Sequence, residues 1–173
     1  MKANDSAIAL KRDKVKLKDI LEHIQETFID ALSIKNIELV IENSLSDEIE
    51  ILIDRSAFRY QILNNILLNA VKFSPNDSRI IVEIAVIEDL LQLKIIDNGI
   101  GIPEHIIQSI FDPSKGTSRQ GTNGEKGTGF GMPIVKTLIE GMEGSISIES
   151  ITKTQENKKS GTTMILSAPL VQK

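Results

Sequence analysis

Cysteine and tryptophan are absent from the 173 residues, and one tyrosine and five phenylalanines are the only aromatic side chains. Without thiols the chain can build neither disulfides nor thiolate metal sites, which fits a reducing compartment. Aromatics at 3% are too sparse for a platform that stacks the bases of a single strand. Positive charge is also scarce. Twenty basic against 24 acidic residues leave a formal charge of −4, which speaks against broad phosphate neutralisation, so no nucleic-acid partner is expected. Long apolar runs are missing as well. Met1 to Lys18 is polar and basic around the short run Ala7-Ile8-Ala9-Leu10, too little for a signal-peptide core or a transmembrane segment. A cytoplasmic chain without membrane contact of its own, whether free or the cytoplasmic part of a membrane-bound sensor, is the expectation.

What is present is the mixture of a soluble globular domain, 40% apolar and 25% charged, at a length that suits one core. Leu17, Ile20, Leu21, Ile24, Phe28 and Leu32 recur at spacings of three and four, which predicts an amphipathic helix over Lys16–Ser33. Ile37–Ile41 and Ile49–Ile53 are rich in β-branched residues on either side of a turn-like stretch, which predicts a hairpin. Asp54 or Ser56 can cap a second long helix that stops at Ser74-Pro75. Ile80–Val86 and Leu91–Ile96 read as strands joined at Glu88-Asp89, and Pro103 opens a short helix through Ile110. A third long helix over Met132–Met142 and strands at Ser145–Ile151 and Thr162–Ala168, around a polar turn at Gln155–Gly161, complete the tally. Three long helices, one short one and about six strands predict a two-layer α/β sandwich, a mixed and mostly antiparallel sheet covered on one face by three helices.

Between Pro113 and Phe130 the apolar period fails, and glycines at 116, 121, 124, 127 and 129 mix with Ser, Thr and Lys. A structureless loop of this length is a candidate for function. No Gly-Lys-Ser or Gly-Lys-Thr follows at Walker spacing. Four further stretches stand out in order: Asn65-Ile66-Leu67-Leu68-Asn69-Ala70-Val71-Lys72-Phe73, Asp97-Asn98-Gly99-Ile100-Gly101-Ile102-Pro103, Ile110-Phe111-Asp112-Pro113, and Gly127-Thr128-Gly129-Phe130-Gly131-Met132. They resemble the asparagine box, first glycine box, phenylalanine box and second glycine box of the ATP-binding domain of sensor histidine kinases, in the superfamily shared with gyrase, MutL and a heat-shock chaperone. Ser160-Gly161-Thr162-Thr163 is similar to the turn before that domain's last strand.

The chemistry of these residue types agrees with the resemblance. Asn65 and Asn69 stand one helical turn apart, so two neutral amide oxygens can help complete an oxygen shell around Mg²⁺; the resemblance assigns the direct contact chiefly to Asn69. Lys72, on nearly the same face, can set its ammonium against a phosphate. Asp97 ends an apolar strand and can accept from an adenine amino group, while Gly99 and Gly101 let the backbone approach the purine. Gly127, Thr128, Gly129 and Gly131 lead into a helix start suited to phosphate oxygens. The resemblance adds Ile102, Phe130, Met132 and Thr162 to the nucleotide contacts, and makes Phe111 the root of a lid over residues 113–130. Lys115, Arg119 and Lys126 are the lid's cations, of which the resemblance favours Lys115 or Arg119 at the γ-phosphate.

The same resemblance implies a kinase and not a hydrolase, because Asn65 stands where hydrolysing relatives carry a general-base glutamate, and an amide takes no proton. His23 and His105 lack the His-Glu or His-Asp context of a phosphoacceptor. The expected acceptor is therefore a histidine on a separate dimerisation domain, with a response regulator downstream. Residues 1–13 are then a linker remnant and 14–173 the kinase domain. A free-standing anti-sigma-factor-type serine kinase and a non-catalytic nucleotide-binding module are the alternatives.

Overall fold

The computed structural model describes residues 9–154 and 158–172. Residues 1–8 of the predicted linker and 155–157 of the predicted polar turn lie outside them. The elements run β1 (Asp13–Lys16), α1 (Leu17–Thr27), α2 (Ile29–Ile34), β2 (Glu38–Asn43), β3 (Glu50–Ile53), a π-helical segment (Ala57–Leu63) continuing into α3 (Asn64–Phe73), β4 (Arg79–Ile87), β5 (Leu90–Asp97), α4 (Glu104–Ile107), α5 (Gly131–Gly141), β6 (Ser145–Ile151) and β7 (Gly161–Pro169). Five strands form one sheet in the order β2-β4-β5-β7-β6, and β1 pairs with β3 in a separate two-stranded sheet. Every pairing is antiparallel except β2 with β4. The mixed, mostly antiparallel α/β sandwich expected from the sequence is the fold.

Period-two alternation puts Leu91, Leu93, Ile95 and Asp97 of β5 on the buried face, where Ile80, Val82 and Ile84 of β4 and Met164, Leu166 and Ala168 of β7 join them. Onto that face pack Ile66, Leu67, Ala70 and Val71 of α3 and Val135, Leu138 and Ile139 of α5. Asp97 is thus a carboxylate placed at an apolar position of the pattern. Asp54 caps the long helix as expected, its Oδ1 accepting from the Ala57 amide at 2.9 Å.

Three expectations need correction, and one strand carries no sequence signal. The predicted helix over 16–33 breaks at Phe28, whose φ of −103° and ψ of 2° leave the helical region while its side chain stays buried against His23. The predicted hairpin of residues 37–53 does not form. β2 pairs in parallel with β4, Glu38 opposite Arg79, and β3 pairs with β1, Val15 opposite Ile51. Strand β1 went unrecognised because four residues of Asp-Lys-Val-Lys carry one buried side chain, Val15, too little for a period. The short helix spans only Glu104–Ile107, with Pro103 just before it in extended conformation. Residues next to β1 are also tied down. Leu10 packs on the core, the Lys11 amide donates to Asp54 Oδ2 at 2.9 Å, and Arg12 pairs with Glu143 at 2.8 Å.

Candidate functional site

A cleft opens between α3, the carboxyl end of β5, α4, the loop over residues 113–130 and the start of α5. It encloses about 820 Å³ including the solvent at its mouth. Its deep end is apolar, made by Ile66, Ala70, Ile106, Ile110 and Met164.

Asp97 lies at that end, 7% exposed. The strand register sets it opposite Thr162, and its Oδ1 accepts from the amides of Gly99 at 2.8 Å and Thr162 at 3.2 Å. Oδ2 receives no hydrogen bond among the described residues. Burial is the dominant influence and pushes the carboxyl up to about 6 against the pull of the two amides. A buried acceptor with a free oxygen, in an apolar pocket, is suited to an N–H of a planar base. The floor around it is interlocked. Ser150 Oγ donates to Gly161 O and lies 2.8 Å from Thr162 Oγ1, and the Ile102 amide donates to Ser150 Oγ at 2.8 Å. Gly101, at φ +73°, leaves no room for a side chain, since a Cβ there would collide with the Ile151 carbonyl.

The other end is polar. Asn65 and Asn69 both line the cleft. The Asn65 amide nitrogen donates to Gln61 O at 2.5 Å and that of Asn69 to Met132 Sδ at 3.5 Å, so both amide oxygens are left as acceptors. Asn65 Oδ1 abuts Gly131 at the amino end of α5, where a Cβ would overlap it. Lys72 reaches across the cleft to Gly127, and burial holds its ammonium below the ordinary lysine value, opposed by Glu125 and reinforced by Arg119. Arg119 donates to Gly101 O at 2.9 Å and stacks 5.3 Å from the Phe73 ring centroid, while Lys72 lies 4.7 Å from the same ring. Gly129, at φ +77°, packs its α-carbon against the Ser118 amide.

Of the residues singled out in the sequence, Asn65, Asn69, Lys72, Asp97, Gly101, Ile102, Arg119, Gly127–Gly129, Gly131, Met132 and Thr162 line one cleft. Five do not. Gly99 sits against the Phe73 carbonyl beneath the floor, Phe111 is half-buried beside Lys136, Phe130 is 52% exposed, and Lys115 and Lys126 are exposed on the loop. Sequence reasoning missed the apolar wall and Thr117 and Ser118. Met164 follows Thr162 at strand spacing, and Ile66 and Ala70 follow one another at helical spacing, so a face-by-face reading held that signal. It also missed Lys35, a buried cation described below.

Fold and cleft define a nucleotide-binding domain of the kind shared by histidine kinases, gyrase and heat-shock chaperones. Residues 54–172 match the family described as histidine kinase-, DNA gyrase B-, and HSP90-like ATPase, and the chain belongs to that family. The autoinducer 2 sensor kinase/phosphatase LuxQ of Vibrio harveyi is 31% identical over 157 residues, covering 88% of this chain and 18% of that protein. The sensor histidine kinase WalK of Bacillus subtilis is 35% identical over 111 residues, covering 63% of this chain and 17% of its own. The chain therefore spans about a fifth of the length of these relatives. The catalytic domain of histidine kinase ThkA superposes with a TM-score of 0.75 at 21% identity, over 92% of this chain and 96% of that one. Full-length ShkA in complex with AMPPNP gives 0.75 at 23% identity, over 97% and 33%. At such identities the solved structures establish the fold, and the family assignment rests on the sequence match. The chain is an ATP-binding domain of the sensor histidine kinase type.

Proposed function

We propose that this domain binds ATP with Mg²⁺ and donates the γ-phosphoryl group to a histidine on a separate dimerisation domain, from which a response regulator takes it. The observation that carries the reading is Asp97, a buried carboxylate with one oxygen bound by backbone amides and the other free. Asp97 Oδ2 would accept from the adenine amino group over the floor of Ile66, Ala70 and Met164. Asn69, helped by Asn65, would give amide oxygens to Mg²⁺. No cluster of three or more His, Cys, Asp or Glu able to hold a metal occurs among the described residues. Two neutral amides hold a divalent cation only weakly, so the phosphates would complete its shell and metal and nucleotide would enter together.

Lys72 and Arg119 are the two cations lining the cleft, and they would offset charge on the phosphates. Lys115 and Lys126, outside the lining, would not. Thr128 and Gly129–Gly131 lead into α5, whose amino-terminal amides suit phosphate oxygens. Asn65 cannot remove a proton from water, which favours transfer to an external nucleophile over hydrolysis. His23 supports an acceptor elsewhere: it is 3% exposed and its ring hydrogen-bonds Arg59 O at 3.0 Å, Asn64 Oδ1 at 3.2 Å and Thr27 Oγ1 at 3.0 Å.

The test is titration calorimetry with ADP and a non-hydrolysable ATP analogue, with and without Mg²⁺, followed by labelled-ATP transfer to a histidine-bearing dimerisation domain. Mg²⁺-enhanced binding and label on the histidine are expected. Label on a serine of a protein partner would move the reading to the serine-kinase alternative, and no binding would leave an interaction module.

A further inference from the structure

Lys35 is a lysine in the turn after α2, 3% exposed. Its Nζ donates to Val71 O at 3.0 Å, Lys72 O at 2.9 Å and Ser74 O at 3.3 Å, the last carbonyls of α3 and the residue after it. The same ammonium reaches Thr122 Oγ1 at 2.8 Å and Glu125 Oε1 at 2.6 Å, both in the middle of the loop over residues 113–130. A buried cation is tolerable only when it is paired and hydrogen-bonded. Here the negative end of a helix and one carboxylate meet that demand together.

The contact is reinforced by backbone. The Thr122 amide donates to Lys72 O at 3.1 Å, Thr122 Oγ1 donates to Ser74 O at 2.7 Å, and the turn closes through Gly121 N to Glu125 O at 2.9 Å. Gly121 in turn packs against the Lys72 side chain, whose ammonium lies at Gly127. The Lys72 carbonyl is thus pinned from two sides while its side chain spans to the far end of the loop.

We propose that Lys35, Thr122 and Glu125 form a latch in which Lys35 is a positioning residue. It fastens the middle of the lid to the carboxyl end of α3, so that Lys72 and Gly127–Gly129 face each other across the cleft before nucleotide arrives. The proposal rests on reading the cleft as an ATP site, and it places the latch at the phosphate end only. Adenine recognition at Asp97 is independent of it.

The experiment compares the unmodified protein with Glu125→Ala and Thr122→Val, whose side chains lie on the lid and leave the core untouched; Lys35→Met is a third variant, used if it folds. Two readouts are taken. Amide exchange in ligand-free protein over residues 117–126 should accelerate by about tenfold in the variants, the scale of one hydrogen bond to a charged group, with β5 and β7 unchanged. Binding of Mg²⁺ with the imido analogue of ATP should weaken by about tenfold, while adenosine binding stays the same. Glu125→Asp should restore part of both effects. Unchanged exchange overturns the latch, and so does an equal loss for adenosine and the ATP analogue, the mark of general destabilisation. If the unmodified protein binds neither ligand, the nucleotide reading itself fails; if it binds both and the variants match it, only the latch fails.

Discussion

The two ends of the cleft are built on different principles. Around Asp97 the walls are strands and a long helix, their side chains fixed by core packing, and the polar groups are bonded to backbone. Across the cleft, the loop from Pro113 to Phe130 contains no strand or helix and contributes almost nothing to the core. Polar contacts anchor it: Arg119 to Gly101, Thr122 to Ser74, and Thr122 and Glu125 to Lys35. A floor that shares the domain's global stability and a loop held by a few hydrogen bonds should open at different free energies. The Asp97 end is then preformed, and the loop end can yield as a ligand enters or leaves.

Substituting glycine in each region separates them most sharply. Gly101→Ala forces a side chain into the Ile151 carbonyl at φ +73° and should cost the whole domain about 3 kcal/mol, from backbone strain and overpacking. Gly129→Ala, at φ +77° with the Ser118 amide 2.8 Å from the new Cβ, should leave the melting temperature nearly unchanged and weaken ATP by a few-fold. Equal melting shifts for the two would erase the distinction.

Asp97→Asn should weaken ATP by about 100-fold, since the amide turns a donor toward the adenine amino group and leaves it unpaired. The same substitution should stabilise the ligand-free domain at pH 7.5. An unburied aspartate titrates near 4, whereas buried Asp97 titrates at about 6. Between those values the folded state keeps a proton that the unfolded chain has lost, so stability falls as pH rises through the window. Above about 6 the penalty is complete, about 3 kcal/mol at 1.36 kcal/mol per unit. Thermal melts at pH 5 and 7.5 should show this dependence in the native protein and lose it in Asp97→Asn. ATP binding, which uses the ionised form, should weaken as pH falls below about 6, and a flat profile would remove Asp97 from base recognition. Asn69→Ala should weaken Mg-ATP by about tenfold and the metal-free nucleotide less, read by calorimetry in both conditions. Equal losses would take the metal away from Asn69.

Most cleft-lining positions were legible because each belongs to a short, continuous pattern: two asparagines at helical spacing, an acid at the end of an apolar strand, glycines before a helix. Such patterns state local conformation and polarity together, and local conformation is what a stretch of ten residues can specify. The exposed positions of Lys115 and Phe130 were not legible, because a loop without periodicity carries no signal for the direction of its side chains. Lys35 was invisible for a related reason. A lysine in a polar turn reads as solvated, and only the carbonyls of Val71, Lys72 and Ser74, more than 35 residues away, make its burial tolerable.

Taken alone, then, the order of residues determined the helical stripes, the alternation along β4, β5 and β7, the cap at Asp54 and the positions of the nucleotide motifs. Tertiary structure decided which strands pair. β2 and β3 both have the composition of strands, and their separation suits a hairpin, yet β3 lies against β1 and β2 lies in parallel beside β4. Strand pairing is chosen by the burial available on each side and by contacts between residues 34 to 41 positions apart. Those energies depend on the assembled core and leave no trace in any single segment.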